Sequence, residues 1–326
     1  MVQGGVETVV CDLNRALLGA GDESVVVSKG GPLAEVVKAD GGRHVEMDLK
    51  TKNPFTYFTR AWKLRKLLRA ERPDIVCAHS RVPAWLFVWA NRGLGFKWIT
   101  YAHGANSVSR YSEVMTKGNL IVTPSKFLAE YLMSNYPVDG AKIRVVPNAV
   151  DTERFDPSRL DTRLVATLRR KWGIGDGDHV TMSIGRITPV KGFDSLIREF
   201  SAKYNGADGH KLVIVGGADR HHRKYLAELE ALVERLNPNP SSVVFAGQQT
   251  SMPECLSIAD EVVSANTTKP ESFGLSIVEA YSMNKPVRAK RFGGAAEIME
   301  AVVALYGMKA FYDRSLSVYR ELYNMV

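Results

Sequence analysis

The sequence predicts an α/β fold in which two doubly wound parallel sheets form separate domains. Short β-branched runs alternate with helical patterns in both halves of the chain, an alternation typical of parallel sheets covered by helices. A turn-rich stretch at residues 147–157 interrupts the alternation, and a length of 326 residues favours two cores over one. We therefore expect one domain over residues 1–150, a second over residues 151–305, and a terminal helix over residues 306–326 that returns to the first domain.

The elements of the first domain follow from the spacing of its apolar residues. Runs such as Ile75-Val76-Cys77-Ala78 predict buried strands, whereas apolar residues three or four apart predict helices. The predicted strands cover residues 25–27, 75–78, 98–101, 120–123 and 143–146. The predicted helices cover residues 6–18, 57–70 and 126–135.

The second domain repeats this pattern after the turn-rich stretch. Its predicted strands cover residues 180–184, 212–215, 243–245 and 261–264, and its predicted helices cover residues 193–204, 222–236 and 252–258. A further helix is expected to begin near Phe273. Two such domains joined by a short linker leave a cleft at the carboxyl ends of their strands, where ligands bind in this fold class.

The positive charge of the chain is concentrated in its first half. Residues 1–150 contain 20 Lys and Arg against 13 Asp and Glu, whereas residues 151–326 contain 23 against 22. The basic residues are densest at residues 60–72, where apolar side chains including Phe58 and Trp62 interleave at helical spacing. This segment fits a packed helix with a basic solvent face, because a strand pattern follows it directly. It also fits a helix that lies on an anionic membrane surface.

Composition excludes several classes of protein. No apolar run approaches the roughly 18–20 residues that span a bilayer, and no signal peptide opens the chain, so we expect a cytoplasmic protein. The three cysteines, Cys11, Cys77 and Cys255, are far apart and predict neither a disulfide framework nor a metal site. No aromatic RNA-stacking motif accompanies the basic first half, and we expect no nucleic-acid partner.

Two carboxylates in the second half carry the strongest functional signal. Glu271 lies in a predicted loop, and Glu279 lies eight positions later in an apolar helical pattern. Free backbone N–H groups at the start of that helix favour an anion such as a diphosphate, and the carboxylates would lie roughly 9–12 Å apart. Ionised carboxylates accept several hydrogen bonds from adjacent hydroxyls. The pair fits a sugar and a ribose joined by a diphosphate, although alone it also fits an ordinary loop charge and an ordinary helix residue.

Three further groups of residues lie at the ends of predicted strands or at the starts of predicted helices, where ligands can bind. Arg186 and Lys191 lie on a glycine-bounded loop between a strand and a helix, where they can clamp a diphosphate leaving group. His103 follows a strand and precedes a glycine, which is a cleft-facing position. Gly4 and Gly5 form a turn into a helix, where the backbone can approach an anion closely.

Together these features resemble the retaining GT-B glycosyltransferases of family 4. The order and spacing agree over nearly the whole chain, and the matching motifs are Gly4-Gly5, His103, residues 147–151, Gly185-Arg186 with Lys191-Gly192, Glu271 with Glu279, and residues 293–297. Residues 110–118 and 315–322 look like those of proteobacterial enzymes that build lipopolysaccharide core, some of which are assigned as mannosyltransferases. This finer resemblance favours GDP-mannose as the donor.

The resemblance implies a role for each charged candidate. Arg186 and Lys191 would hold the nucleotide diphosphate and stabilise its departure. Glu279 would accept hydrogen bonds from the ribose hydroxyls, Glu271 would accept them from the donor sugar, and His103 would lie near the reacting sugar carbon. Cationic side chains and helix termini replace a metal in this family, so the resemblance implies that no cofactor is needed. It also implies that the stereochemistry of the sugar is retained.

The resemblance also implies roles for backbone and for partners. The donor site would include the backbone at Phe273, Gly274 and Leu275, the glycine turn at Gly4 and Gly5, and Gly247 in the region that lines the base pocket. The first domain would bind an anionic glycolipid or saccharide acceptor, which suits its positive charge and a location on the inner face of the cytoplasmic membrane. A UDP-sugar donor and a non-catalytic sugar-nucleotide-binding scaffold are the alternatives.

The chain departs from the family pattern in two places. Family members begin with a strand before the glycine turn, whereas the turn here begins at Gly4. They also carry a loop, a strand and a longer helical region after the position of Glu297, where this chain runs almost directly to its terminal helix. We expect that these segments are missing from the sequence rather than from the protein.

Overall fold

A computed structural model describes residues 4–51, 53–266, 269–300 and 308–325 of the chain. The chain divides into two compact units. Unit 1 contains residues 1–149 and 308–326, and unit 2 contains residues 150–307. The boundary between Ala149 and Val150 lies inside the turn-rich stretch of the sequence.

Unit 1 is built on parallel strands. Its helices are α1 (Gly5–Gly19), α2 (Pro32–Ala39), α3 (Tyr57–Glu71), α4 (Arg81–Ala90), α5 (Lys126–Asn135) and α12 (Met308–Asn324). Its strands are β1 (Val25–Ser28), β2 (Arg43–Glu46), β3 (Ile75–Ala78), β4 (Lys97–Tyr101), β5 (Leu120–Thr123) and β6 (Ile143–Val145). Strands β3-β4-β5-β6 form one sheet in that order, and β1 pairs with β2. Helix α12 packs within this unit against α1 and β3.

The structure confirms the five predicted strands and three predicted helices of unit 1 and adds three elements that the sequence did not indicate. Strand β2 reads Arg-His-Val-Glu and has no apolar run. Helix α4 is apolar along most of its length and contains Pro83, so it lacks the alternation of faces that marks an amphipathic helix. Helix α2 is only eight residues long.

Unit 2 contains a five-stranded parallel sheet. Its helices are α6 (Thr162–Lys171), α7 (Phe193–Tyr204), α8 (Arg223–Leu236), α9 (Met252–Ile258), α10 (Leu275–Ser282) and α11 (Gly294–Glu300). Its strands are β7 (His179–Ile184), β8 (His210–Val215), β9 (Val243–Gly247), β10 (Glu261–Ser264) and β11 (Val287–Ala289), in the sheet order β11-β10-β7-β8-β9. The winding reverses beside β7, since β8 and β9 lie on one side of it and β10 and β11 on the other. The ends of β7 and β10 therefore form a topological switch point, where ligands bind in such sheets.

The sheet of unit 2 is buried on both faces. Along β8, Leu212 and Ile214 belong to one apolar cluster, whereas Val213 and Val215 belong to another. Because successive strand residues point to opposite faces, the two clusters lie on opposite sides of the sheet. This double burial explains why β8 reads as a continuous apolar run and was predicted correctly. Strand β11, which reads Val-Arg-Ala, has no such run and was not predicted.

Candidate active site

The loop after β7 carries the predicted diphosphate clamp to the start of α7. Gly192 has φ of +68°, in the left-handed region, and stands at the N-cap of α7. The N-cap glycine has no side chain that could cap the helix, and backbone N–H groups at a helix start favour an anion. Arg186 is exposed on the same loop, and Lys191 is half-buried.

Lys191 and Glu271 form an ion pair at the switch point. The Lys191 ammonium donates to both oxygens of the Glu271 carboxylate, at 2.9 Å to Oε2 and 3.2 Å to Oε1. The Asn266 amide donates to Oε2 as well. A Cβ atom on Gly185 would lie 3.2 Å from Cε of Lys191, so the lysine side chain lies along this glycine. Residues 80 positions apart are thereby brought together at the ends of β7 and β10.

A pair of glycines anchors the loop that carries Glu271. Gly293 forms a parallel bridge with Glu271, and the backbone N–H of Gly294 donates to the Glu271 carbonyl at 2.7 Å. A Cβ atom on Gly294 would lie 2.4 Å from the Ser272 carbonyl oxygen. Only glycine allows this approach of the two backbones, which gives a physical reason for the glycine turn at residues 293–294.

Helix α10 begins later than predicted. We expected a start near Phe273, but Gly274 has φ of +105° and the helix begins at Leu275. The Phe273 side chain is only 4% exposed and packs into the core. Glu279 is consequently the fifth residue of the helix, just over one turn from its start rather than two. The N-cap residue Gly274 likewise has no side chain that could cap α10, and such a helix start favours an anion.

The Glu279 carboxyl titrates near neutral pH. Burial raises the pKa of Glu279 from its ordinary value to about 7, and the positive charge of Arg154 opposes that rise. Arg154 is itself exposed and donates to the Thr250 carbonyl at 3.1 Å. Glu279 therefore exchanges between its neutral and ionised forms at physiological pH, which the sequence did not indicate.

Glycines at the ends of β7, β8 and β9 allow the loops after these strands to approach one another closely. A Cβ atom on Gly216 would lie 1.9 Å from the Gly185 carbonyl oxygen, so the ends of β7 and β8 approach closely. The Gly216 N–H donates to the Gly247 carbonyl at 2.9 Å, and Gly247 has φ of +68°. The predicted base region around Gly247 therefore lies at the same edge of the sheet as the predicted clamp.

Two histidines meet at the corresponding edge of unit 1. His79 follows β3, and His103 lies two residues beyond the end of β4. Nδ1 of His79 lies 3.0 Å from Nε2 of His103, within hydrogen-bond distance. The two rings stack with their centroids 5.3 Å apart, and His79 also stacks on Tyr101 at 4.6 Å.

Both histidines are uncharged at neutral pH. Burial lowers the pKa of His103 to about 4. Burial, followed by the influence of His103, lowers the pKa of His79 well below its ordinary value. The pair shares a hydrogen bond between two neutral rings, so one ring nitrogen donates and the other accepts.

Sequence reasoning singled out His103 but missed His79. The signal was available, because His79 directly follows the predicted strand at residues 75–78, just as His103 follows the strand at residues 98–101. Gly4 and Gly5 also belong to unit 1, where Gly4 precedes α1 and its carbonyl accepts from the backbone N–H of Thr8 at 3.0 Å. The remaining candidates all belong to unit 2.

Acidic, histidine and cysteine side chains are the usual protein ligands of metal ions. Across residues 4–51, 53–266, 269–300 and 308–325, no three such side chains are grouped closely enough to hold a metal ion. Over the same residues, no helix combines the length and the apolar character needed to cross a bilayer.

Two family models match the chain. Residues 3–154 match the model for "Glycosyltransferase Family 4", and residues 165–306 match the model for "Glycosyl transferases group 1". The first model ends at residue 154, shortly after the boundary between the units, and the second begins at residue 165. Together the two models cover most of the chain.

Several curated proteins are similar in sequence. A D-inositol 3-phosphate glycosyltransferase of Salinispora arenicola is 31% identical over 56% of this chain and 42% of that protein. An alpha-monoglucosyldiacylglycerol synthase of Streptococcus pneumoniae is 29% identical over 52% and 36%. A lipopolysaccharide 1,2-N-acetylglucosaminetransferase of Salmonella typhimurium is 24% identical over 76% and 62%. The chain thus spans about one-third to two-thirds of the length of these relatives.

Solved structures share the fold across the whole chain. A glycosyltransferase of Rickettsia africae superposes with a TM-score of 0.77 at 24% identity, covering 99% of this chain and 93% of that one. HepE of Anabaena, in complex with UDP-glucose, superposes with a TM-score of 0.79 at 18% identity, covering 99% and 96%. WaaG, a glycosyltransferase involved in lipopolysaccharide biosynthesis, gives 0.68 at 15% identity, covering 98% and 87%. The chain therefore belongs to the group 1, family 4 glycosyltransferases, and its two α/β units have the GT-B fold.

Proposed function

We propose that this protein transfers a sugar from a nucleotide-diphosphate sugar to a glycolipid or saccharide acceptor, with retention of stereochemistry and without a metal cofactor. The observation that carries the proposal is the Lys191–Glu271 pair at the switch point of unit 2. At this point the Lys191 ammonium lies beside the Glu271 carboxylate, which can accept hydrogen bonds from hydroxyl groups. Two helix starts that favour anions lie next to this pair.

Donor binding would exchange the partners of this ion pair. The diphosphate pairs with the Lys191 ammonium and with the exposed Arg186 as a second cation, and the sugar hydroxyls donate hydrogen bonds to the Glu271 carboxylate. Each charged group therefore keeps a hydrogen-bonding partner before and after binding, which limits the cost of desolvating it. The side chains of Lys191 and Glu271 are 26% and 22% exposed, so a ligand can reach them without unfolding the loop.

Glu279 is assigned to the ribose of the donor. Two adjacent ribose hydroxyls donate best to an ionised carboxylate, and hydrogen bonds to the charged form lower a raised pKa. Nucleotide binding should therefore release the proton that burial holds on this carboxyl near neutral pH.

The transfer step breaks the bond between the sugar carbon and the β-phosphate oxygen and forms a bond from that carbon to the acceptor oxygen. The departing phosphate takes the acceptor proton, so charge and atoms balance. Lys191 and Arg186 stabilise the negative charge that develops on the leaving diphosphate. In other transferases a metal ion provides this stabilisation.

His103 is assigned to the reacting sugar as a neutral hydrogen-bonding group. Since its pKa lies near 4, it does not act as a cation or as a general acid at neutral pH. His79 would act as a positioning residue, because its bond to Nε2 fixes the ring orientation and the tautomer of His103.

The acceptor is assigned to unit 1. Residues 1–150 carry the excess of positive charge, which suits an anionic glycolipid. The names of two relatives support a lipid-linked substrate: one is a synthase of the glycolipid monoglucosyldiacylglycerol, and the other is a lipopolysaccharide N-acetylglucosaminetransferase. The enzyme would work in the cytoplasm, at the inner face of the membrane where such acceptors are anchored.

The donor is the part of the proposal that most needs a direct comparison. The finer sequence resemblance favours GDP-mannose, whereas a structural neighbour binds UDP-glucose. Incubation of the protein with each donor in the presence of a chelator, with and without glycolipid extract, should release nucleoside diphosphate from one donor class only. A Lys224→Ala variant on α8, with a highly exposed lysine, should behave like the wild type. Donor binding without any transfer would instead support the non-catalytic scaffold.

A further inference from the structure

Helix α3 exposes large aromatic side chains on the side that faces away from the core of unit 1. Phe58 is 62% exposed and Trp62 is 59% exposed. Phe55, in the turn before the helix, is 91% exposed. The side of α3 that packs into unit 1 is formed instead by Arg60, Ala61, Leu64 and Leu68.

Basic side chains share the exposed side of the helix with these aromatics. Phe58, Trp62, Lys66 and Arg69 follow one another at intervals of four, four and three residues and are all exposed, so they form one stripe along the helix. We call this stripe, together with Phe55, the aromatic–basic face of α3. The one acidic residue of the helix, Glu71, is neutralised by a 2.9 Å ion pair with Arg43.

The aromatic–basic face is larger than the helix alone. Phe58 lies edge-on to Trp89 of α4, with the ring centroids 5.9 Å apart. Lys63 is exposed beside the stripe. Exposed apolar side chains grouped in this way are typical of surfaces that bind a partner, and the surrounding cations specify an anionic one.

We propose that the aromatic–basic face of α3 docks on an anionic lipid surface. Phe55, Phe58 and Trp62 enter the boundary between headgroups and acyl chains, where aromatic rings are favoured, and Lys66 and Arg69 pair with lipid phosphates. Lipid fits this combination because it offers an apolar layer and a negative layer at adjacent depths. The docking concerns only unit 1 and does not depend on turnover or on the identity of the donor.

Co-sedimentation with vesicles tests the proposal. The whole protein should bind vesicles of phosphatidylcholine mixed with phosphatidylglycerol, and bind pure phosphatidylcholine vesicles at least about tenfold more weakly. Lys66→Glu with Arg69→Glu should reduce binding to the anionic vesicles by about tenfold or more. Phe55→Ser with Trp62→Ser should weaken it comparably, because both side chains are exposed and their loss leaves the core intact.

A matched control separates the face from net charge. Arg223→Glu with Lys224→Glu reverses two exposed charges on α8 of unit 2 and should leave vesicle binding unchanged. All variants should retain the wild-type melting temperature and the wild-type response to donor nucleotide, which keeps this test separate from that of the transferase function. Equal binding to neutral and anionic vesicles, equal loss in the α8 control, or dimerisation that the Phe55→Ser and Trp62→Ser changes abolish would overturn the proposal.

Discussion

Unit 2 holds charged groups at the carboxyl edge of its sheet, where Lys191 pairs with Glu271, whereas unit 1 holds two uncharged histidines at the corresponding edge. Both edges are built in the same way, from residues that follow neighbouring parallel strands. Their chemistry differs because their surroundings differ. Around Lys191 lie glycine-rich loops and the Glu271 carboxylate, while His103 stacks with His79 and Tyr101.

This difference indicates a division of labour between the two units. In the proposed function, unit 2 supplies the cations and the helix starts that a diphosphate needs. Neutral hydrogen-bonding groups such as the histidine pair suit sugar hydroxyls, because they add no charge that a substrate would have to neutralise. Glu279 lies between the charged and the uncharged groups, since burial raises its pKa to about 7 and it is only partly ionised at neutral pH. Each prediction below tests one side of this contrast.

The largest effect should come from the charged side. Lys191→Ala removes the cation that stabilises the leaving diphosphate, and the rate of transfer should fall by about 10²–10³-fold. Measurement of steady-state rates for wild type, Lys191→Ala and the Lys224→Ala control would check this. A wild-type rate in Lys191→Ala would show that the charged edge of unit 2 does not perform the chemistry.

Glu279 should couple donor binding to proton release. With a pKa of about 7 in the free protein, ionisation on binding should release about half a proton at pH 7. Glu279→Gln should abolish this release and weaken donor affinity by about tenfold or more, as expected for hydrogen bonds to a charged group. Calorimetry of donor binding in two buffers with different ionisation enthalpies measures the proton directly. A heat of binding that is independent of buffer in the wild type would refute the coupling.

The histidine pair should affect turnover without affecting the donor site. His79→Leu removes the bond to His103 and should lower kcat by about tenfold, with the dissociation constant for donor nucleotide unchanged. His79→Asn, whose amide lies near the position of Nδ1, should restore part of the rate. Nitrogen NMR of His103 should show one dominant tautomer in the wild type and a mixture in His79→Leu. An unchanged tautomer population would mean that His79 has only a structural role.

Glu279 also predicts how the stability of the empty protein depends on pH. Because its pKa is raised from 4.5 to about 7 in the folded state, the folded protein holds more protons than the unfolded chain between these values. Its contribution to stability is complete below pH 4.5 and is lost as pH rises through about 7. The difference in unfolding free energy between wild type and Glu279→Gln should therefore change across this window. A constant difference would contradict the raised pKa.

The last prediction concerns the stability that the glycine turn provides. Gly294→Ala forces a Cβ atom to within 2.4 Å of the Ser272 carbonyl oxygen and should destabilise the protein by about 1–3 kcal/mol. Donor affinity should fall with it, because the displaced loop carries Glu271. Gly19→Ala, where nothing lies within 4 Å of the added atom, is the control. Equal melting temperatures for the two variants would contradict the anchoring role of the turn.

The parts of the fold that sequence predicted are those whose signals are local. Strands buried on both faces read as apolar runs, so β5 and β10 were predicted to the residue. Polar β2 and the continuously apolar α4 gave no such pattern. The start of α10 was misplaced because the left-handed conformation of Gly274 is not encoded by the apolar spacing around it.

The candidate site shows the same limit. Residue types and strand ends identified Lys191, Glu271 and His103 as separate candidates. Their contacts could not be predicted, because Lys191 and Glu271 meet across 80 residues of chain, and a pKa depends on burial rather than on sequence. His79 could have been found, since it occupies the same strand-end position as His103.

The most direct test of the contrast between the units is thermal unfolding of chelator-treated protein with GDP-mannose, UDP-glucose, UDP-N-acetylglucosamine and ADP-heptose. One nucleotide class should stabilise the wild type by about 2.7 kcal/mol at 100 times its dissociation constant. His79→Leu should keep this stabilisation, whereas Lys191→Ala and Glu279→Gln should lose most of it. Stabilisation that survives both unit 2 substitutions, or that is absent with every donor, would contradict the assignment of the donor to the charged edge of unit 2.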